Sequence, residues 1–197
     1  ATLCLLILGV TLLISVPKLV LTQINLFEEA QLLVSLFAAF AFFFYLNRYH
    51  RFQGGLKGER RVAKLLKSTF TNDYFLLNDV CFPDGFGDID HIVIGPNGLF
   101  AIETKNWSGR VTCYGDEWQR QGSHTQNHRG SPSRQAKKNA SRVRNAIEAS
   151  GTLQTWVEGI VVFANQNADL QIHEPTVPIL KLHQLPGHIK SHRNQTY

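Results

Sequence analysis

Residues 87–107 constrain the fold more than any other stretch of the chain, because they combine two apolar segments, a turn and several charged side chains. Residues 92–94 and 99–102 are continuous apolar runs, which is typical of strands that are covered on both faces. Between them lies Gly-Pro-Asn-Gly, a sequence that favours a turn. The stretch therefore predicts a buried antiparallel hairpin.

The length of the turn decides which charged side chains of this hairpin share a face. An even loop pairs Ile94 with Leu99 and places Asp90 opposite Glu103, whereas a three-residue loop shifts each partner by one. The proline in the turn cannot adopt the positive φ of a primed two-residue turn, so the sequence leaves the length open. We favour the even loop, which also brings Lys105 to the same edge. Such a charge cluster is costly unless a metal or a substrate uses it.

The order of these motifs resembles the core of PD-(D/E)XK nucleases, in which an acid, a hairpin and Glu-x-Lys follow one another. The segments Gly-Asp-Ile-Asp-His, Gly-Pro-Asn-Gly and Glu-Thr-Lys-Asn-Trp-Ser-Gly are similar to those of the nuclease-related domain (NERD) family, and the similarity covers about residues 55–190. It implies an α/β fold, with a central mixed sheet flanked by helices. It also implies metal-dependent hydrolysis of phosphodiester bonds in DNA or RNA.

The resemblance assigns roles to five residues. Asp90 and Glu103 would bind Mg²⁺ or Mn²⁺, which prefer oxygen ligands, together with the backbone carbonyl that follows Glu103. Lys105 would orient or deprotonate the attacking water. Glu59 would be an outer ligand, although an acid in the first turn of a helix also stabilises the helix by itself. Gln135 would reach toward the active site from a later helix, the alternative being an ordinary exposed amide.

Two apolar runs at the N-terminus predict membrane helices. Residues 1–22 carry only Lys18 and residues 30–46 carry no charge, and about 20 apolar residues cross a bilayer. A cleavable signal sequence is the alternative for the first run, which is long for one. Acids lie between the runs, and five Lys and Arg residues lie within 47–61. The positive-inside rule then predicts a multi-pass protein of the cytoplasmic (inner) membrane, with its C-terminal domain in the cytoplasm.

The resulting organisation has four parts. We expect two transmembrane helices in 1–46, a basic juxtamembrane linker in 47–55, a nuclease-like domain in 56–190 and a tail in 191–197. The part after residue 46 holds 19 of the 20 Lys and Arg residues and 13 of the 15 acids, a net charge of +6. A basic domain suits a nucleic-acid partner.

Within this domain the apolar periodicity predicts further helices and strands. Pro132 to Ala149 predicts a helix capped by Ser131, and His91 is expected in the core, on the face opposite Asp90. The other predicted elements are helices over 56–70 and from residue 185, and strands over 74–82, 110–114, 117–121, 157–164 and 176–182.

The helix 132–149 is the most basic of the chain, and we expect it to contact phosphates. The residues assigned to this surface are Arg134, Lys137, Lys138 and Arg142. Trp107 is a candidate for stacking on a base, although an aromatic residue after a strand more often packs in the core. A basic run that merely faces solvent is the alternative for the whole helix.

A function of another class competes with the nuclease hypothesis. The chain could be a non-catalytic, membrane-tethered module that binds nucleic acid or acts as a scaffold, in which Lys105 and Glu103 form only a structural ion pair. A metal-dependent rate that is lost in Lys105→Ala would separate the two, because a pure binding module has no rate to lose.

Overall fold

The structure is a computed structural model that describes residues 25–121, 130–151 and 156–192. The first predicted membrane run, residues 1–22, and residues 193–197 of the predicted tail lie outside the described residues. The chain divides into two compact units, residues 1–52 and residues 53–197.

A single helix, α1 (Asn25–Thr69), contains the second apolar run. The large apolar side chains of that run are exposed, for example Phe37 at 73% and Phe40 at 68%. By length and composition alone, one helix among the described residues, over Glu29–Thr69, could cross a membrane. The predicted two-helix hairpin is therefore not supported. The helix also continues through the predicted linker 47–55, so the predicted helix start at Leu56 was wrong.

Among the described residues, eight strands and two further α-helices follow α1. They are β1 (Phe75–Cys81), β2 (Asp88–Gly95), β3 (Gly98–Lys105), β4 (Gly109–Tyr114), β5 (Glu117–Arg120), α2 (Pro132–Ala149), β6 (Val157–Phe163), β7 (Ala168–His173), β8 (Ile179–Lys181) and α3 (Leu185–Ser191). A short 3₁₀ turn, Leu182–Gln184, joins β8 to α3. The helix α2 and its Ser131 cap agree with the prediction, whereas β7 was not predicted and β8 is shorter than the predicted strand.

The strands form two mixed sheets. The larger sheet has the order β1-β2-β3-β6-β8, with antiparallel pairs from β1 to β3 and parallel pairs from β3 to β8. The smaller sheet has the order β5-β4-β7. The α/β class with a central mixed sheet is thus confirmed.

Alternate side chains of the central strands pack on opposite faces of the larger sheet. On one face, Phe100 and Ile160 pack with residues of α1 and α3, including Leu66 and Ile189. On the other face, Ala101 and its neighbours pack with residues of α2. The larger sheet is consequently covered by helices on both faces, which explains why β3 and β6 are apolar without alternation.

The central hairpin has the even register. Ile94 pairs with Leu99 and Gly95 with Gly98, so the loop contains only Pro96 and Asn97. The side chain of Asn97 donates to two backbone carbonyls at the C-terminal end of α3, at 2.9 and 3.1 Å. The turn is thereby attached to the last helix of the chain.

Two glycines allow helices to approach the sheet closely. A Cβ atom on Gly58 of α1 would lie 2.8 Å from Cβ of Asn106, just beyond β3. A Cβ atom on Gly159 of β6 would lie 2.6 Å from the backbone oxygen of Ala136 in α2. Both distances are shorter than normal van der Waals contacts, so only glycine at these positions lets α1 approach the C-terminal end of β3 and α2 approach the first half of β6.

Candidate active site

Three charged residues converge where the central hairpin opens. The Asp90 carboxylate accepts a hydrogen bond of 2.6 Å from the backbone N–H of Thr104, so it reaches across to β3. Glu103 is 1% exposed, and its Oε1 accepts a 2.5 Å bond from Nζ of Lys105. The even register therefore does bring Asp90, Glu103 and Lys105 to one edge of the sheet.

Helix α2 adds two amides to this edge. Asn139 donates from Nδ2 to Oε2 of Glu103 at 3.2 Å, and Oε1 of Gln135 accepts from Lys105 at 3.3 Å. The two amides lie one helical turn apart and face the same direction. Each oxygen of Glu103 is thus bonded to a different donor, which fixes the carboxylate.

Glu59 approaches the same carboxylates from α1. Gly58 lets this part of the helix lie against the residues after β3, where Asn106 donates a 2.7 Å bond to the Gly54 carbonyl. Partial burial raises the pKa of Glu59, and the negative charge of Asp90 raises it further. The interaction identifies Glu59 as a third carboxylate of the cluster.

The electrostatics of the cluster are those of crowded buried acids. Burial raises the pKa of Glu103 to about 7, the Lys105 ammonium opposes this shift, and the Asp90 charge reinforces it. Burial also raises the pKa of Asp90, while the N–H of Thr104 acts in the opposite direction. Near neutral pH Glu103 is therefore partly protonated, and a bound cation would displace that proton.

The cluster is loose rather than fully converged. Among the described residues, one group of three potential metal ligands has all its ligand atoms within 4.8 Å of one another, and it lies elsewhere. Glu59, Asp90 and Glu103 therefore do not meet this distance limit as a set of three. A single ion that binds all three carboxylates would therefore require their side chains to move closer together, and the role of Glu59 as an outer ligand stays a prediction.

Sequence reasoning missed two neighbours of the site. Asn139 is 3% exposed and contacts Glu103 directly; its spacing of four from Gln135 was the available signal. Asp79 on β1 has a φ of 53°, which is uncommon for a residue other than glycine, and its charge raises the pKa values of Asp90 and Glu59. No sequence pattern marked Asp79, because its position depends on strand pairing.

Arg142 does not belong to an exposed phosphate-binding surface, and this prediction was wrong. Its guanidinium is buried and makes two bonds to the carboxylate of Asp84, at 2.6 and 2.8 Å. It also donates to the Gly87 carbonyl at 2.8 Å. Arg142 therefore holds the segment that leads into β2.

The other basic residues of α2 also have partners. Lys137 contacts Asp116 at 2.6 Å, and Arg134 contacts Glu117 at 2.7 Å. Lys138 lies 3.4 Å above the ring of Phe86. These contacts neutralise or cover much of the charge that the sequence assigned to a nucleic-acid surface.

Trp107 packs in the core rather than standing free for a base. Its ring is half-buried, with its centroid 6.3 Å from that of Trp118 and 6.0 Å from that of Phe163. The structure therefore supports the alternative prediction that Trp107 packs in the core, and we no longer assign it to base stacking.

The C-terminal part of α1 carries a row of exposed cations, which we call the α1 stripe. Its members recur at intervals of one helical turn, and none forms an ion pair with a described residue. They are Lys57, Arg60, Arg61, Lys64 and Lys67. The stripe lies on the helix that also carries Glu59, and it spans about 15 Å.

Comparison with known proteins identifies the family. The model of the nuclease-related domain (NERD) matches residues 54–164, just over half of the chain. An uncharacterised protein of Bacillus anthracis is 39% identical over 66 residues, which cover 32% of this chain and 30% of that protein. No solved structure matches the chain. The matched region contains the hairpin, the carboxylate cluster and α2, and the chain belongs to the nuclease-related domain family.

Proposed function

We propose that the chain is a membrane-anchored, metal-dependent nuclease that hydrolyses phosphodiester bonds of DNA or RNA. One observation carries the proposal: Asp90, Glu103 and Lys105 meet at the open end of the central hairpin, with Glu59 beside them. Clustered buried acids destabilise a fold, and they occur most often where a function uses them. Carboxylates that can hold a metal ion, next to an ammonium group that can contact water or phosphate, suit metal-dependent phosphodiester hydrolysis.

The donor set fits Mg²⁺ or Mn²⁺. Both ions prefer oxygen ligands, and Asp90 and Glu103 would hold the ion, because only one oxygen of Asp90 is used by the Thr104 amide. The raised pKa values of all three carboxylates support a site built for a cation. When bound, such an ion supplies positive charge to the phosphate and polarises a water.

Lys105 and the amides of α2 would position the reactants. The Lys105 ammonium is held between Glu103 and Gln135, so it can donate to a water or to a phosphate oxygen at a fixed place. Asn139 keeps the Glu103 carboxylate oriented. Lys105 is thus the catalytic residue proposed to contact the attacking water, and Asn139 is a positioning residue.

We propose the α1 stripe as the phosphate-contacting surface, in place of α2. Its cations are exposed and lack ion-pair partners among the described residues, whereas those of α2 are largely paired. Neutralising Arg60 to Gln should reduce the salt dependence of nucleic-acid binding by about one phosphate contact, a change in log–log slope of roughly 0.9. Arg134→Gln is the matched control, because Arg134 is exposed but paired with Glu117. Equal slopes for both variants would exclude the stripe.

Membrane anchoring rests on the exposed apolar side chains of residues 30–46 and on the basic residues that follow them. We propose that this segment crosses the cytoplasmic membrane and leaves the nuclease-related domain in the cytoplasm. A reporter fused after Tyr197 should be active only in the cytoplasm. Activity on the external side would refute this orientation.

Cleavage assays test the enzymatic proposal. The full chain in detergent, with Mg²⁺ or Mn²⁺, should cleave at least one member of a panel of labelled single- and double-stranded DNA and RNA. Lys105→Ala should abolish the rate while leaving nucleic-acid binding intact, whereas Arg110→Ala, which removes an exposed cation paired with Asp169, should change neither. Binding without a rate in the wild type, unaffected by Lys105→Ala, would instead favour a non-catalytic tethering module.

A further inference from the structure

A second group of potential metal ligands lies away from the carboxylate cluster. Glu158 of β6 contacts two histidines: its Oε2 lies 2.9 Å from Nε2 of His188 and 3.4 Å from Nδ1 of His192. The ligand atoms of all three residues lie within 4.8 Å of one another. Two imidazoles and one carboxylate are the ligand types that Zn²⁺ takes in open sites.

The spacing of these atoms suits a tetrahedral ion. Metal–ligand bonds of about 2.0–2.2 Å place neighbouring ligand atoms about 3.3–3.6 Å apart at the tetrahedral angle. The separation of His192 and Glu158 falls in this range, and that of His188 and Glu158 is slightly shorter. The two histidine nitrogens also lie within 4.8 Å of each other, so rotations of the side chains would complete three ligand bonds.

The backbone and the surrounding contacts hold the three side chains in place. His188 and His192 are four residues apart at the end of α3, and Ile189 between them is fully buried in the core. The ring of Phe100 packs edge-on against His192, with a centroid separation of 5.1 Å. Asn97 donates to the His192 carbonyl. Metal binding would thus require little ordering of the protein.

The group is separate from the proposed nuclease site. Glu158 pairs with Phe100, three residues before Glu103 on β3, which corresponds to about 10 Å along the strands. Its side chain points to the face covered by α1 and α3, whereas Asn139 of α2 contacts Glu103 from the opposite face. Both histidines also lie beyond residues 54–164, the region that matches the family model.

We infer that Glu158, His188 and His192 form a binding site for a divalent transition metal, with Zn²⁺ the best match to the donor set. The ligand side chains are 15–27% exposed, so a fourth position is open to water. The ion links α3 to the central sheet and stabilises the C-terminal end of the domain. It uses nitrogen ligands, which Mg²⁺ does not prefer, so the two sites discriminate between cations.

Metal titration of the full chain in detergent tests the site. Equilibrium dialysis should show that His188→Ala and His192→Ala each bind one Zn²⁺ fewer than the wild type. Co²⁺ bound in place of Zn²⁺ should give the visible absorption bands of a four-coordinate ion only when all three ligands are present. Loss of one ligand should weaken the affinity by more than about tenfold. His183→Ala, an exposed histidine of the preceding turn, is the control and should bind normally.

Two further measurements guard against a variant that simply fails to fold. Glu158→Gln keeps the size of the side chain and should lose the cobalt bands as well. In the wild type, Zn²⁺ should increase hydrogen-exchange protection of residues 185–192, with no such increase in Glu158→Gln. The proposal would be overturned if the wild type bound no Zn²⁺. It would also be overturned if His188→Ala and His192→Ala kept the Zn²⁺ stoichiometry and the cobalt bands of the wild type.

Discussion

The burial of Glu103 makes a quantitative prediction about stability and pH. Glu103 is 1% exposed, and its pKa is raised from 4.5 to about 7 chiefly because burial disfavours the ionised carboxylate. We therefore consider Glu103→Gln, which keeps the shape of the side chain but cannot ionise. The variant removes the titration while leaving the neighbouring strands unchanged.

The raised pKa of Glu103 determines whether stability rises or falls with pH. A raised folded-state pKa means that the contribution of Glu103 to stability is fully present below pH 4.5 and is lost as the pH rises through about 7. Each pKa unit corresponds to about 1.4 kcal/mol, so the wild type should lose about 3 kcal/mol across this window through this residue alone. The stability of Glu103→Gln relative to wild type should rise by that amount between pH 4.5 and pH 8.

Denaturant unfolding with a metal chelator present, followed by tryptophan fluorescence, measures this difference at several pH values. The constant cost of disturbing the Asn139 bond cancels, because only the change with pH is compared. Glu117→Gln, which removes an exposed surface carboxylate, is the control and should show no comparable slope. A pH-independent difference between Glu103→Gln and wild type would refute the argument that Glu103 is held as a buried acid.

Three other substitutions test features of the fold. Gly159→Ala would place a methyl group 2.6 Å from the backbone of α2 and should destabilise the domain by about 1–3 kcal/mol in denaturant unfolding, whereas Gly187→Ala, with open space around it, should not. Arg142→Ala should lower the melting temperature more than Arg134→Ala, since only Arg142 is buried; equal losses would contradict its structural role. Burial lowers the pKa of His91 to about 4. The stability of the wild type relative to His91→Gln should therefore fall by about 3 kcal/mol as the pH drops from 6.5 to 4. A difference that does not change with pH would show that His91 is solvated.

Local sequence signals predicted much of the fold. The hairpin, α2 with its Ser131 cap, and β4 and β5 all depend on apolar periodicity and turn chemistry within a few residues. The hairpin register followed from a physical argument about clustered charge, and it is confirmed. The prediction that His91 lies in the core is also confirmed: it is buried, and its Nδ1 lies 2.7 Å from Oδ1 of Asn78.

Features that depend on partners distant in sequence could not be predicted. A run of basic residues does not reveal which of them meet acids, so Arg142 was assigned to the surface although Asp84, 58 residues away, holds it inside. The strand β7 has alternating exposed residues and joins a second sheet only through β4. The helix α1 continues through Gly54 and Gly58, where local propensity favours a break.

The parallel pairing of β3 with β6 has a consequence for how the domain is made. β3 ends at residue 105 and β6 at residue 163, so the apolar edge of β3 must wait for about 58 residues of further synthesis before its partner exists. At translation rates of about 5–20 residues per second, this interval is roughly 3–12 s. During it the nascent chain presents an unpaired, hydrophobic strand edge, the kind of surface that promotes aggregation. We expect chaperone binding during translation to be concentrated in this interval and to end once β6 has inserted.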